Sequence, residues 1–118
     1  MEEQVQVHYL EIVTPQPEQL CEAYSQSLKL TFSAPIAELG GARTAMLSSG
    51  GTVGIRAPMH QAEEPTTRPY YLVADIDKAV DEAKSAGAHI AVPPMEIPGR
   101  GKCAIVMFGA VQSGFWQI

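Results

Sequence analysis

Apolar and polar residues alternate over Gln6–Thr14 (QVHYLEIVT), which predicts a strand. Leu10 and Ile12 fall on one side, and Tyr9, Glu11 and Val13 on the other. The second side carries a phenol and a carboxylate, so it is read as the wall of a cavity. The pattern then lengthens to helical spacing. Over 15–29, Leu20, Tyr24 and Leu28 recur at i, i+4, i+8 with Cys21 and Ala23 beside them, and Pro15 and Pro17 suit the helix entry. Phe32–Leu39 reads as a weak strand broken by Pro35, and Gly40-Gly41 as a turn. Arg43–Leu47 and Thr52–Ala57 read as strands of a hairpin closed by Ser48-Ser49-Gly50-Gly51. Residues 58–69 hold three prolines and no periodicity, and form a connector.

The same order then begins again. Arg68–Ala74 alternates as a strand. Asp75 caps a helix whose face carries Ile76, Ala79, Val80 and Ala83, and Gly87 stops it. His89–Val92 is a short strand, and Pro93–Gly101 a loop able to act as a flap carrying Glu96 and Arg100. Lys102–Phe108 and Gly114–Ile118 are the last strands. Strand, helix and three strands thus occur twice. Thr52–Arg56 and Gln112–Trp116 each place a glycine mid-strand with a large side chain two positions later. The fold class is α+β: two βαβββ modules, about 1–57 and 68–118 with a connector over about 58–67, in one domain of 118 residues. The modules are expected to form a half-closed curved sheet cup with the helices outside.

Composition narrows the function classes. The net charge is −5 with no Lys/Arg cluster, which disfavours nucleic acid and anionic membrane as partners. No apolar stretch is long enough to span a bilayer, and MEEQVQV has no signal-peptide character. Cys21 and Cys103 lie far apart on different predicted elements, which favours reduced, packed thiols in a cytoplasmic protein. No HxH, HExxH or CxxC spacing occurs.

The stretches HYLEIVTPQPEQLCEAY, LGGARTAMLSSGGTVGIRAP, RPYYLVADIDKAVDEAKSAGA and the terminal GFWQ resemble the vicinal-oxygen-chelate superfamily. That superfamily includes glyoxalase I, extradiol dioxygenases and bleomycin-resistance proteins. The YYLVADID…AGA segment and the GFWQ ending look most like glyoxalase-like proteins of unknown substrate. The resemblance implies the cup, with a metal or ligand inside it and a homodimer as the assembly. Metal-using members take His, Glu or Gln from the first and fourth strands of each module. Those positions fall here at Tyr9, Gly54, Arg68 and Gly114, and His8 has the opposite parity and should point out of the cup. Tyrosine, glycine and arginine cannot supply converging donors to a divalent ion, so no metal and no cofactor is expected.

Parity on the central strands places Tyr9 and Glu11, Gly54 and Arg56, Arg68 and Tyr70, and Gly114 and Trp116 on the inner face. Leu10, Ile12, Val53, Ile55, Tyr71, Val73 and Phe115 fall under the helices. The inner glycines are expected to leave room for a guest. Glu11 with Arg56 or Arg68 has two readings. In one, an arginine grips a ligand carboxylate or enolate while Glu11 accepts a proton or hydrogen bond; in the other, the group is a structural ion pair. Tyr9, Tyr70 and Trp116 read either as an aromatic wall or as packing. His8 and His89 are expected to face helices or solvent, His60 lies in the connector, and Glu63-Glu64 is a solvated charge pair. The candidate ligand-binding residues are therefore Tyr9, Glu11, Arg56, Arg68, Tyr70 and Trp116, with no catalytic residue assigned. The leading expectation is metal-independent binding of a small molecule in the bleomycin-resistance manner. A metal-dependent lyase, isomerase or dioxygenase is the alternative, a protein-interaction module the third, and enzyme activity stays open.

Overall fold

The computed structural model describes residues 5–118. Residues 1–4, on which the reading of MEEQVQV partly rests, lie outside the described residues. The chain is α+β and divides into two compact units: Tyr9–Thr67, and Arg68–Ile118 together with residues 5–8.

In the first unit, β1 (Val7–Val13) runs into α1 (Pro17–Leu28), with Pro17 in the first turn where its missing N–H costs nothing. β2 (Arg43–Met46) and β3 (Thr52–Arg56) form the expected hairpin. β3 lies antiparallel to β2 and parallel to β1, giving the order β2-β3-β1. A parallel neighbour needs a crossover, and α1 supplies it. Ile12, Cys21, Ala45, Val53 and Ile55 form the buried core, with Leu10, Leu20, Tyr24, Leu30 and Phe32 packed against it. This is the helix-facing set predicted by alternation.

Three details differ from the sequence reading. Leu28 is 58% exposed, because the helix ends there and Lys29 turns through the left-handed region (φ 58°); Leu30 fills the core in its place. Ala23 is also exposed. Phe32–Leu39 is not a regular strand. Ser33 N donates to Thr44 O (2.8 Å) and Ile36 bridges Ala42, but Pro35 has no N–H to continue a ladder, and Ala37–Leu39 closes as a 3₁₀ turn.

In the second unit the strands are β4 (Thr66–Leu72), β5 (His89–Ile97), β6 (Gly101–Phe108) and β7 (Val111–Gln117), in the order β4-β7-β6-β5. β4 runs parallel to β7, and the other pairs are antiparallel. α2 (Ile76–Ser85) begins as predicted, with Asp75 Oδ1 accepting from Lys78 N (3.1 Å). Gln117 Oε1 accepts from Ile76 N (2.8 Å), tying the helix start to β7. Ile76, Val80, Ala83, Ala88, Ala104 and Val106 are buried under α2, with Val73, Ile90 and Phe115 against them.

The predicted loop Pro93–Gly101 is mostly strand. β5 continues through Pro93 and Pro94 to Ile97, pairing Met95 with Cys103 and Ile97 with Gly101, with register shifts on either side of Val92. β5 ends the strand order, and an edge position tolerates prolines that a central strand would not. Only a short turn remains where a flap was expected. β7 also starts three residues earlier than predicted, at Val111. Among the described residues no helix is long and apolar enough to cross a membrane.

Candidate functional site

All six predicted site residues are buried, at 3–8% exposure. In the first unit the register sets Glu11 beside Gly54 and Val13 beside Arg56 on β1 and β3. Aligned residues of a parallel pair share a face, so Tyr9, Glu11, Gly54 and Arg56 lie together opposite the core. Arg56 Nε donates to Glu11 Oε2 (2.9 Å), one of the two pairings that the sequence left open for Glu11. The ends of the guanidinium go elsewhere. Nη1 donates to Glu63 Oε1 (2.8 Å) and Nη2 to Glu63 Oε2 (2.6 Å), a fork-to-fork pair. Nη1 also reaches Ala57 O (3.1 Å), and Met59 N donates to Glu63 Oε1 (2.7 Å).

Glu63 is therefore not a solvated charge. Its side chain is 14% exposed, whereas Glu64 is exposed as expected. Glu63 hydrogen bonds are the largest influence holding the Arg56 pKa above its ordinary value, ahead of the Glu11 charge and hydrogen bond and against the opposing effect of burial. Arg56 thus holds two carboxylates, one from β1 and one from the segment after β3.

In the second unit, β4 and β7 align Tyr70 with Gly114 and Leu72 with Trp116, so Arg68, Tyr70, Gln112, Gly114 and Trp116 share a face. Arg68 Nε donates to Gln112 Oε1 (2.8 Å), and Nη1 approaches Tyr70 Oη at 3.4 Å. The Tyr70 and Trp116 rings meet edge to face, with centroids 5.7 Å apart and an interplanar angle of 85°. Trp116 Nε1 donates to Arg100 O (2.8 Å), which ties β7 to the turn before β6.

The inner glycines do not open space for a guest. A Cβ on Gly54 would overlap Oη and Cζ of Tyr9, and one on Gly114 would overlap the Tyr70 ring, whose Cγ would lie only 2.6 Å away. Each glycine is the flat floor under a tyrosine of its own unit. The two tyrosines are not equivalent. Tyr70 stands directly across from Gly114, whereas Tyr9 reaches Gly54 diagonally from beside Thr52.

His8 was expected to face helices or solvent. Its ring instead lies 5.4 Å from that of Trp116, tilted by 52°, and burial there pushes its pKa down. Parity misplaces it because His8 belongs by its contacts to the unit of β7, while Tyr9 onward belongs to that of β3. Cys21 and Cys103 are both buried thiols, as predicted, and burial pushes the Cys21 pKa up. Cys103 stands opposite Trp116 on the inner face.

The metal positions of the resembled superfamily hold Tyr9 packed on Gly54 in one unit and Arg68 and Gly114 in the other, side chains that do not fit a divalent ion. Among the described residues no three His, Cys, Asp or Glu side chains gather as a possible metal site. A shallow, open hollow with acidic walls runs along α2, between Asp75 and Glu82, and includes none of the predicted site residues.

No family model matches the sequence, and no curated protein matches it. Solved structures do match. The hypothetical protein BH1468 from Bacillus halodurans C-125 superposes with a TM-score of 0.78 at 13% identity, covering 98% of this chain and 96% of that one. Methylmalonyl-CoA epimerase from Mycobacterium tuberculosis gives a TM-score of 0.70 at 16% identity, covering 93% and 85%. A methylmalonyl-CoA epimerase in complex with methylmalonyl-CoA and NH4+ gives 0.66 at 14% identity, covering 98% and 95%. At such identities the likeness is one of fold, and it agrees with the order of elements and the resemblance in the sequence: the chain has the vicinal-oxygen-chelate fold.

Proposed function

We propose that the protein binds a small carboxylate-bearing molecule without a metal, in the manner of the bleomycin-resistance branch, and that Arg68 is the residue that grips it. The observation that carries this reading is the setting of Arg68. Its guanidinium is buried and oriented by an amide and a phenol, and it shares its face with Tyr70 and Trp116. Gln112 and Tyr70 set the direction of this guanidinium, and a guanidinium so aimed pairs a carboxylate through parallel N–H groups. The two rings supply flat apolar surface for the body of the ligand. The epimerase structure with methylmalonyl-CoA adds support, since that ligand is a carboxylate-bearing acyl thioester on the same fold.

The metal-dependent alternative requires donors that Tyr9, Gly54, Arg68 and Gly114 do not offer; one tightly bound divalent ion per chain in purified protein would restore it. A reading as a protein-interaction module is favoured by one observation, the filling of both glycine floors by tyrosines of the same chain.

A thermal-shift screen of carboxylates, including benzoate and methylmalonyl-CoA, tests the proposal, because a ligand that binds only the folded form raises the melting temperature. Arg68→Met keeps most of the apolar stem. It should weaken binding of a hit at least tenfold while the variant stays folded, because a guanidinium that grips the guest contributes mainly to the guest. Equal loss of both would assign Arg68 to folding alone.

A further inference from the structure

The connector between β3 and β4 is held in an unusual way. Ala57 and residues 59–62, 64 and 65 are exposed, and none of 57–65 lies in a strand or helix. What reaches inward is the Glu63 side chain. Its two oxygens take Nη1 and Nη2 of Arg56, and one of them also takes Met59 N. Glu63 N donates to His60 O (3.1 Å), so the segment folds back on itself before meeting β3.

The two carboxylates on Arg56 are attached very differently. Glu11 comes from the middle of β1, is fixed by the β1–β3 ladder, and takes Nε. Glu63 comes from the connector and covers the outer fork of the guanidinium, the edge with two parallel N–H groups that any free carboxylate would use. With the Glu63 carboxylate removed, Glu11 Oε2 still accepts from Arg56 Nε, and the outer fork keeps the two parallel N–H donors that a carboxylate takes.

We propose that the outer fork of Arg56 is a second carboxylate-binding site, occupied in the resting protein by Glu63 as a tethered surrogate, and that a small organic carboxylate displaces Glu63 and releases the connector. This site belongs to the Tyr9–Thr67 unit and does not depend on the reading of Arg68. A short tether holds Glu63 at an effective concentration in the millimolar range, so wild-type protein yields only to tens of millimolar of a simple carboxylate or to a guest with further contacts.

Chemical rescue tests this directly. Glu63→Ala should melt several degrees below wild type, and acetate or formate should raise its melting temperature progressively, while chloride at the same ionic strength should not. The apparent affinity for acetate, followed by NMR titration of the arginine side-chain resonances, should be at least tenfold tighter in Glu63→Ala than in wild type. Rescue should vanish in Arg56→Gln/Glu63→Ala and persist in Arg68→Met/Glu63→Ala, which separates this site from the one proposed above. In wild type, acetate should accelerate thermolysin cleavage within 57–65. A folded Glu63→Ala that acetate stabilises no more than chloride overturns the proposal. If that variant does not fold, Glu63→Gln and the wild-type cleavage rate decide, and a cleavage rate indifferent to acetate overturns it equally.

Discussion

Arg56 and Arg68 are the same side chain on two similar units, and the partners each meets within its own unit differ. Arg56 is 3% exposed and bonded to two carboxylates, one from β1 and one from the connector. Arg68 is 8% exposed, and its partners within its own unit include an amide on Nε and a phenol near Nη1. A carboxylate partner uses the charge of a guanidinium, whereas an amide or phenol uses mainly its direction. Burial alone therefore does not mark an arginine as structural or as binding; the chemistry of the groups around it does.

The largest effect that could break this contrast is on stability. Arg56→Met leaves Glu11 and Glu63 buried without the guanidinium that balances them. Removing one partner of a buried ion pair costs about 3–5 kcal/mol. Urea denaturation should show a loss of that size. A loss under about 1 kcal/mol would mean that Arg56 is not what balances the two carboxylates.

The next effect concerns the tyrosines that cover the glycines. Gly114→Ala drives a methyl group into the Tyr70 ring near its root, with Cγ at 2.6 Å, where the side chain has little freedom to swing away. Gly54→Ala meets the far end of Tyr9, around Oη and Cζ, where a small rotation about χ1 moves the contact furthest. Overpacking of this kind costs about 1–3 kcal/mol. Gly114→Ala should lie at the upper end and Gly54→Ala at the lower, measured by urea denaturation. Tyr9→Phe in the Gly54→Ala background should recover part of the loss, because the phenol oxygen is the nearest atom. The reverse ranking would mean that the Tyr70 ring is the looser of the two.

These two regions also show what the sequence made legible. Alternation on β1, β3, β4 and β7 separated core-facing from inner-facing residues, because a strand's period of two leaves few options once one face is clearly apolar. Glu11 with Arg56 or Arg68 followed, since parity puts all three on the inner face, though it does not choose between the arginines. Glu63 did not. It lies in an irregular segment next to an exposed glutamate, and no periodicity tells which member of Glu63-Glu64 folds inward. The glycines were legible as places without a side chain, but what fills them depends on a cross-strand offset that only register supplies: direct for Tyr70, diagonal for Tyr9. The extension of β5 through two prolines was hidden because a proline pair reads as a loop until the strand is known to lie at an edge.

The smallest effect lies at His8, and it sharpens the account of the Arg68 unit. Burial against Trp116 holds the His8 pKa below its ordinary value near 6.5. A histidine whose pKa falls on folding binds protons more readily in the unfolded chain. Its contribution is therefore nil above the unfolded pKa and becomes destabilising as pH drops below about 6.5, levelling off once pH is under the folded value. Trp116 is the sole tryptophan and reports on the contact directly. Its fluorescence should change along a single titration centred below pH 6.5, as the neighbouring imidazole becomes a cation. His8→Phe should abolish that titration, keep the ring contact, and remove the corresponding fall in stability. A midpoint above 6.5 would mean that the imidazolium is favoured where it sits, by attraction to the indole face or by an anionic neighbour, and that the surroundings of Trp116 already suit a cation.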